Sequence, residues 1–480
     1  MILAKNETKD IHFDLSMANR HGLISGATGT GKTITLKVIA ENFSKHGIPV
    51  FLSDVKGDLS GFALANTPNE KFHTRLEKLG ITEYQGESFP LVFWDLYGKC
   101  GHPIKTTISE MGPVLLSRVL ELNETQTSVL SVIFQIADDN QLLLLDLKDL
   151  KAMLNFVLEN KQNIQKEYGN ISSASVGAIT RALVVLENEG GEEFLSEPAL
   201  DIFDLIQTQG TKGVINLLDA TKLIHSPKLY STFLLWLLSE LFEKLPEVGD
   251  IQKPKFVFFF DEAHLLFDNA PQSLTDKIEQ VVRLIRSKGV GVYFVTQSPL
   301  DIPENILGQL GNKVIHTLRG YTPKDQKSIK AVAQSFRQNK EDDITQILTT
   351  LGVGEALIST LDREGVPTMV EKGFIMPPLS AFSPLSEEEI QSHIKKSVLF
   401  GVYEQTIDSH SAYEMLLSKQ KNEEVLENSG TKEAESSQTS EIFGKFLSSA
   451  ARAIGSQVGR QIVRGILGAI LGDTKRKSKR

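Results

Sequence analysis

Gly26-Ala27-Thr28-Gly29-Thr30-Gly31-Lys32-Thr33 has the residue types and spacing of a loop that wraps the phosphates of a nucleoside triphosphate. Glycines let successive backbone N–H groups turn inward on an anion, and a helix that follows adds the positive end of its dipole. Lys32 is placed to reach the β- and γ-phosphates, and the Thr33 hydroxyl to hold Mg²⁺. The flanks agree: His21 to Ser25 reads as a short buried strand entering the loop, and Ile34 to His46 as a helix leaving it.

A second chemical element lies far downstream, in Lys255-Phe256-Val257-Phe258-Phe259-Phe260-Asp261-Glu262-Ala263-His264. An apolar run this short suits a strand buried on both faces of a parallel sheet, and it stops at two carboxylates. Beside the phosphate loop, Asp261 would bind Mg²⁺ directly or through water, and Glu262 would polarise the attacking water as a general base. The competing reading is that the two acids cap the next helix, whose first turn favours negative charge.

The elements that must position these groups read as an α/β chain. At 480 residues there is enough chain for one large core or two medium ones, and 41% hydrophobic with 23% charged residues is ordinary for a globular protein. A net charge of −9 supplies no global attraction to nucleic acid, so a DNA contact would need local basic patches. The single cysteine, Cys100, excludes an intramolecular disulfide and a cysteine-rich zinc site. With no signal pattern and no clean membrane span, the expected location is the cytoplasm.

Ile11 and Phe13 alternate with polar residues and suggest an edge strand beside the nucleotide. Pro49 to Ser53 is a second strand, running into Asp54–Gly61, where acids and a glycine at a strand end mark either a ligand-facing loop or an ordinary solvated turn. Leu91 to Asp95 is a further strand. Strands resume at Gly213–Leu218, Gly291–Thr296, Asn312–Leu318 and Gly352–Ile358, with helices over Lys228–Leu245 and Gln280–Ser287. The resulting division is 1–106 as the first part of the ATPase core, 107–206 as an all-helical insertion, 207–375 as the second part of the core, and 376–418 as a helical extension. Within the insertion, Asn123 to Gln126 has the pattern of a helix start, and Asp138, Asp139 and Asp146 read as loop and cap charges.

Residues 419–440, rich in Glu, Ser, Asn and Lys, read as a disordered linker. In 441–480, Phe443, Phe446, Leu447, Ala450, Ile454 and Val458 line one face of a basic amphipathic helix, and Lys475 to Arg480 closes the chain with a basic cluster. Such a helix would contact another subunit, an anionic membrane surface or an unknown protein.

Taken in order, the Gly26–Thr33 loop, the Asp54–Gly61 element, Phe258-Phe259-Phe260-Asp261-Glu262-Ala263-His264, and Arg286–Gly291 leading to Thr296-Gln297-Ser298-Pro299 resemble the HerA/FtsK superfamily, and within it the bacterial HerA-like proteins of the YjgR type. The resemblance runs from the N-terminus to about residue 375. It implies a RecA-like core, a homo-hexameric ring and ATP-driven, helicase-like translocation of duplex DNA. It also implies that Gln297 is the strand-end glutamine that senses the γ-phosphate, and that Arg286 is an arginine finger reaching the adjacent subunit's site. Against Arg286 stand its reading as a helix C-terminal cation and the rival fingers Arg283 and Arg319. Relatives that process DNA ends carry a small β-barrel before the phosphate loop to dock a nuclease. The few residues preceding this loop leave no room for one, so a nuclease partner is not expected. Two other uses of ATP hydrolysis are compatible with these residues: a ring acting on protein or at a membrane, and a nucleotide-gated scaffold with slow turnover.

Overall fold

The computed structural model describes residues 1–249, 251–268, 272–338 and 343–418. The linker and amphipathic helix expected over 419–440 and 441–480 lie outside the described residues. Two compact units form, one from Met1–His102 with Asp201–Phe400, the other from Pro103–Leu200 with residues 401–418.

The first unit is built on one large sheet. In chain order its strands are β1 (Ile2–Lys5), β2 (Asp10–His12), β3 (Gly22–Ser25), β4 (Val50–Asp54), β5 (Leu91–Asp95) and β6 (His102–Pro103). After a two-stranded ribbon of β7 (Thr208–Gln209) and β8 (Lys212–Gly213) come β9 (Ile215–Asp219), β10 (Phe256–Phe260), β11 (Val290–Thr296), β12 (Asn312–Ile315), β13 (Glu355–Ser359) and β14 (Glu371–Ile375). The sheet order is β2-β1-β14-β13-β12-β3-β11-β10-β4-β9-β5-β6. From β12 to β5 neighbouring strands are parallel, and β13, β14, β1 and β2 extend that core antiparallel.

The parallel strands are covered on both faces, which is why they read as continuous apolar runs. All five residues of β10 are buried. Val257 and Phe259 join Val50, Leu52 and Val295 in a core with Leu36, Ile39 and Phe43 of the helix α1 (Lys32–Lys45). On the opposite face Phe258 stacks on Phe51 with ring centroids 4.8 Å apart, and Phe51 meets Phe233 of the helix Pro227–Lys244 at 6.2 Å. That helix starts with Pro227 in its first turn and is buried on nearly every side from Leu229 to Leu241, as an almost uniformly apolar helix must be.

One expectation needs correcting. Ile11 does lie in an edge strand, β2, but β1, β14, β13 and β12 separate that strand from β3 and the phosphate loop. The antiparallel extension moves it away, and alternation of apolar residues carries no information on which edge a strand will occupy.

The second unit is helical over Ile108–Val119, Glu124–Asp139, Leu147–Glu159, Lys161–Tyr168 and Ser173–Asn188. Asn123 and Gln126 form a reciprocal capping box, and Asp146 caps its helix onto the Asp149 N–H at 3.0 Å. The Asp149 carboxylate, fully buried, accepts from Ser411 Oγ at 2.6 Å and Tyr413 N at 2.8 Å, which fastens the Ser411–Tyr413 stretch to this unit. Among the described residues no single helix is long and apolar enough to cross a membrane.

Candidate functional site

Ligand sites in open parallel sheets form at the carboxyl ends of the strands, and here three adjacent strands converge. β3 ends at Ser25 and feeds the Gly26–Thr33 loop, its neighbour β11 ends at Thr296 before Gln297, and the next strand, β10, ends at Phe260 before Asp261 and Glu262.

The loop is pinned from three directions by its own backbone. Gly26 N donates to Thr296 O at 3.3 Å, Ala27 N to Thr317 O at 2.8 Å, and Gly354 N to Thr30 O at 2.9 Å. Gly26 is needed because a Cβ there would stand 2.5 Å from His316 Cβ, a distance no side chain tolerates. Gly31, at φ +120°, turns the chain into α1, with His316 Cε1 3.3 Å from where its Cβ would be. His316 is therefore the post around which the loop is wound. Its Nδ1 donates to Glu355 O at 2.8 Å, which leaves Nε2 to accept from the Thr35 hydroxyl at 2.7 Å. Burial, with the Lys32 charge adding to it, holds the His316 ring down to about 4, so the imidazole is neutral.

Lys32 is buried, and its Nζ donates to Gly26 O at 2.6 Å and Ala27 O at 3.1 Å, curled over the loop's own carbonyls. Burial and the nearby Lys56 ammonium hold it below the ordinary lysine range, against the pull of Glu262 and Asp261. Thr33 sits half-buried in the first turn of α1. Gln297 is exposed at the strand end, and its Oε1 accepts from Thr28 Oγ1 at 3.5 Å, so β11's terminus meets the loop's outer turn.

Asp261 and Glu262 are both buried yet differ in state. Burial drives the Asp261 carboxyl up to about 7, with Glu262 and Asp54 adding to it and Lys56 opposing. Burial also pushes Glu262 up, but a hydrogen bond and ion pair with Lys56 outweigh it and hold Glu262 below the usual carboxylate range. Lys56 Nζ stands 2.5 Å from Glu262 Oε1, and His264 Nδ1 is 3.3 Å from Oε2, an oxygen that makes no hydrogen bond. Glu262 adopts φ 47°, ψ 50°, a left-handed backbone that costs a non-glycine residue about 1–2 kcal/mol. Although it precedes a single 3₁₀ turn, Ala263–Leu266, its side chain accepts no N–H there, so its carboxylate does not act as a cap.

The Asp54–Gly61 stretch is where sequence reasoning left two readings open, and it faces this site. Asp54 accepts from Gly57 N at 2.7 Å, Asp58 N at 3.2 Å and Leu59 N at 2.9 Å, and the turn so shaped presents Lys56 to Glu262. Lys56, His264 and His316 were not singled out from the sequence. The available signal was a cationic or imidazole side chain within four residues of the carboxyl end of a parallel strand.

Arg286 is the sequence-selected residue that the fold does not bring to the other groups within one chain. It opens the 3₁₀ turn Arg286–Lys288 before β11, is exposed, and is separated from Gln297 by the whole strand Val290–Thr296, about 20 Å of extended chain. Arg319 lies on the loop's own side of the sheet, three residues after His316.

A family model described as helicase HerA-like C-terminal matches residues 1–476. The chain belongs to this family. A DNA double-strand break repair helicase HerA of Sulfolobus acidocaldarius is 22% identical over 403 residues, which are 79% of this chain and 70% of that protein. Its counterpart in Sulfurisphaera tokodaii is 24% identical over 357 residues, covering 73% of this chain and 64% of that protein. The HerA-like chain thus spans about two thirds of these relatives' length. Among solved structures, the plasmid coupling protein TrwB with a non-hydrolysable ATP analogue matches at TM-score 0.52 and 13% identity, over 80% of this chain and 92% of that one. TrwB with ADP and Mg²⁺ matches at TM-score 0.50 and 13% identity, over 79% and 93%. At such identity the likeness is one of fold: the large, mostly parallel sheet with helices packed on it is shared with TrwB.

Proposed function

We propose that this HerA-like protein is an Mg²⁺-dependent ATP hydrolase that works as a homo-hexameric ring in the cytoplasm and drives duplex DNA. The observation that carries the reading is the meeting of the phosphate loop, Gln297 and the Asp261–Glu262 pair at three neighbouring strand ends. Gly26, Ala27, Thr28, Gly29, Thr30 and Gly31 supply the backbone cradle. Lys32 exchanges the carbonyls of Gly26 and Ala27 for phosphate oxygens, which are better partners for an ammonium.

The donor set suits Mg²⁺: a buried carboxylate, Asp261, and a hydroxyl, Thr33, in the first helical turn. When bound there, Mg²⁺ neutralises charge on the phosphoryl oxygens. Glu262 takes the proton of the attacking water, using the oxygen that has no hydrogen-bond partner. In that role it must loosen its pair with Lys56, and phosphate charge arriving beside Lys56 supplies a competing anion. Gln297 orients the water and the γ-phosphate, since an amide both donates and accepts. Arg286, remote from its own chain's site, acts on the site of a neighbouring subunit in the ring.

Two measurements test this reading. Duplex DNA is expected to raise the ATPase rate, steeply less so as salt increases, and the mass in solution with a non-hydrolysed ATP analogue is expected to be that of a ring. A DNA-independent rate together with stimulation by anionic vesicles would move the work to a membrane surface. A monomeric mass would remove the shared site. Mixing Glu262→Gln protein with Arg286→Ala protein, each inactive alone, should recover activity through interfaces that keep both residues. No recovery after verified subunit exchange would count against Arg286.

A further inference from the structure

One arginine remote in sequence from every motif is tied to the phosphate loop through a single turn. The helix Glu70–Lys78 starts at Asn69, whose side chain accepts from Phe72 N at 3.0 Å, and it buries only Phe72 and Leu76. Its Arg75 is half-buried, with Nη2 donating to Gly354 O at 3.0 Å and Nη1 to Val353 O at 3.4 Å. The guanidinium lies 4.7 Å from the centroid of the Phe374 ring, and Lys78 Nζ stands 4.2 Å from the same centroid. Stacked on a ring and bonded at both tips, the planar fork is held in one orientation.

The turn that Arg75 grips lies directly against the loop. Gly354 N donates to Thr30 O at 2.9 Å, and a Cβ on Gly31 would be 3.2 Å from Gly354 Cα. Gly354 itself is at φ +76°, and a Cβ there would stand 2.6 Å from Arg75 Nη2, so this approach is open to glycine alone. Val353, at the tip of the turn, is 73% exposed, so side-chain packing does not fix it. Gly354 O also accepts from Ile375 N at 3.0 Å, and β14 and Arg75 thus hold the turn together. The consequence for the loop is one of peptide geometry. Thr30 C=O and Gly31 N–H belong to one planar trans peptide and point in opposite directions. Fixing the carbonyl on Gly354 therefore aims the Gly31 N–H away from the turn.

We infer that Arg75 is a positioning residue for phosphate binding: by bracing Gly354 it fixes the Thr30–Gly31 peptide, and with it the direction of one N–H of the cradle. The inference rests on the assignment of the triphosphate to the Gly26–Thr33 loop. Arg75 acts through the turn and not on the phosphate.

Equilibrium binding of a non-hydrolysed ATP analogue and of inorganic tripolyphosphate, each with Mg²⁺, tests it alongside urea unfolding. Arg75→Met keeps a stem over Phe374 and removes the fork. It should weaken both ligands about 5- to 50-fold, because the cradle is common to them. In turnover the loss should appear in KM and not in kcat, since Asp261, Glu262 and Gln297 follow other strands. Gly354→Ala displaces the guanidinium by itself, so adding Arg75→Met to it should cost less than about 2-fold more. Arg75→Lys retains one donor for the Gly354 carbonyl and should lose less affinity than Arg75→Met. Lys32→Ala should weaken both ligands. If Lys32→Ala does so while Arg75→Met is less stable yet binds normally, the positioning role is wrong and the phosphate assignment survives. Equal losses in Arg75→Lys and Arg75→Met, full additivity with Gly354→Ala, or a loss confined to kcat also overturn the positioning role. Should Arg75→Met not fold, Arg75→Lys carries the test, and unchanged affinity for both ligands then overturns the inference. Normal binding of both ligands by Lys32→Ala overturns both assignments together.

Discussion

His316 makes the integrity of the phosphate loop depend on pH, and the size of that dependence follows from its surroundings. The ring is fully buried, donates from Nδ1 to Glu355 O and accepts at Nε2 from Thr35, so a second proton would turn the acceptor edge into a donor and bury a charge near Lys32. In the unfolded chain the same imidazole titrates at its ordinary value near 6.5, whereas in the fold it is held at about 4. A histidine depressed in the folded state contributes stability that is complete above the unfolded value and is lost as pH falls toward the folded one. Between about pH 8 and about pH 5 the loss is roughly 2 kcal/mol, because the unfolded state gains a proton that the folded state refuses. His316→Asn retains an amide donor for Glu355 and removes the titration. That variant should be less stable than the unsubstituted protein at about pH 8, by about 1–3 kcal/mol for the lost Thr35 bond and the smaller side chain. Its urea-unfolding free energy should then fall less on acidification, by roughly the same 2 kcal/mol. Parallel stability curves for the two proteins between those pH values would refute the reasoning, since they would mean that His316 is either accessible or already charged.

Glu262→Gln should bind a non-hydrolysed ATP analogue normally and lose turnover by about 100-fold or more, because the amide keeps the shape without the basicity; near-normal turnover would reduce Glu262 to a structural residue. Lys56→Met should lower thermal stability by about 1–2 kcal/mol, a modest figure because the Lys56 side chain is 42% exposed. The same substitution should shift the acidic limb of the pH–rate profile upward, since burial is then opposed only by the weaker pull of His264 and Lys32 on Glu262; an unmoved limb would mean that the pair plays no part in setting its charge. Gly26→Ala should abolish nucleotide binding by forcing the loop off His316, measured by calorimetry alongside circular dichroism to show that the fold survives.

Much of the site was legible along the chain because phosphate chemistry demands local patterns. A turn that aims several N–H groups at one anion needs glycines at fixed intervals, and Lys32 and Thr33 must follow at once to share the helix start. A strand buried on both faces must be apolar throughout, so Phe256–Phe260 announced itself and drew attention to Asp261 and Glu262 behind it. The helix starts at Asn123 and Asp146 were equally readable, since capping is a contact between residues three apart.

Residues far apart in sequence were joined by tertiary structure alone. Nothing in the sequence distance between Lys56 and Glu262 indicates an ion pair; it arises because β4 and β10 are neighbours and end at the same level. Whether Glu262 caps the following turn or faces the site depends on a left-handed backbone angle, which the type of residue at that position disfavours and the surrounding fold imposes. His316 became the post for the loop because β12 lies beside β3. Ile11 was carried away from the nucleotide by an antiparallel extension that apolar alternation does not encode. Local spacing is set by the geometry of a few consecutive peptides, whereas strand order is set by how the whole chain buries its apolar faces, and only the second brings Lys56, Glu262, Gln297 and His316 around one loop.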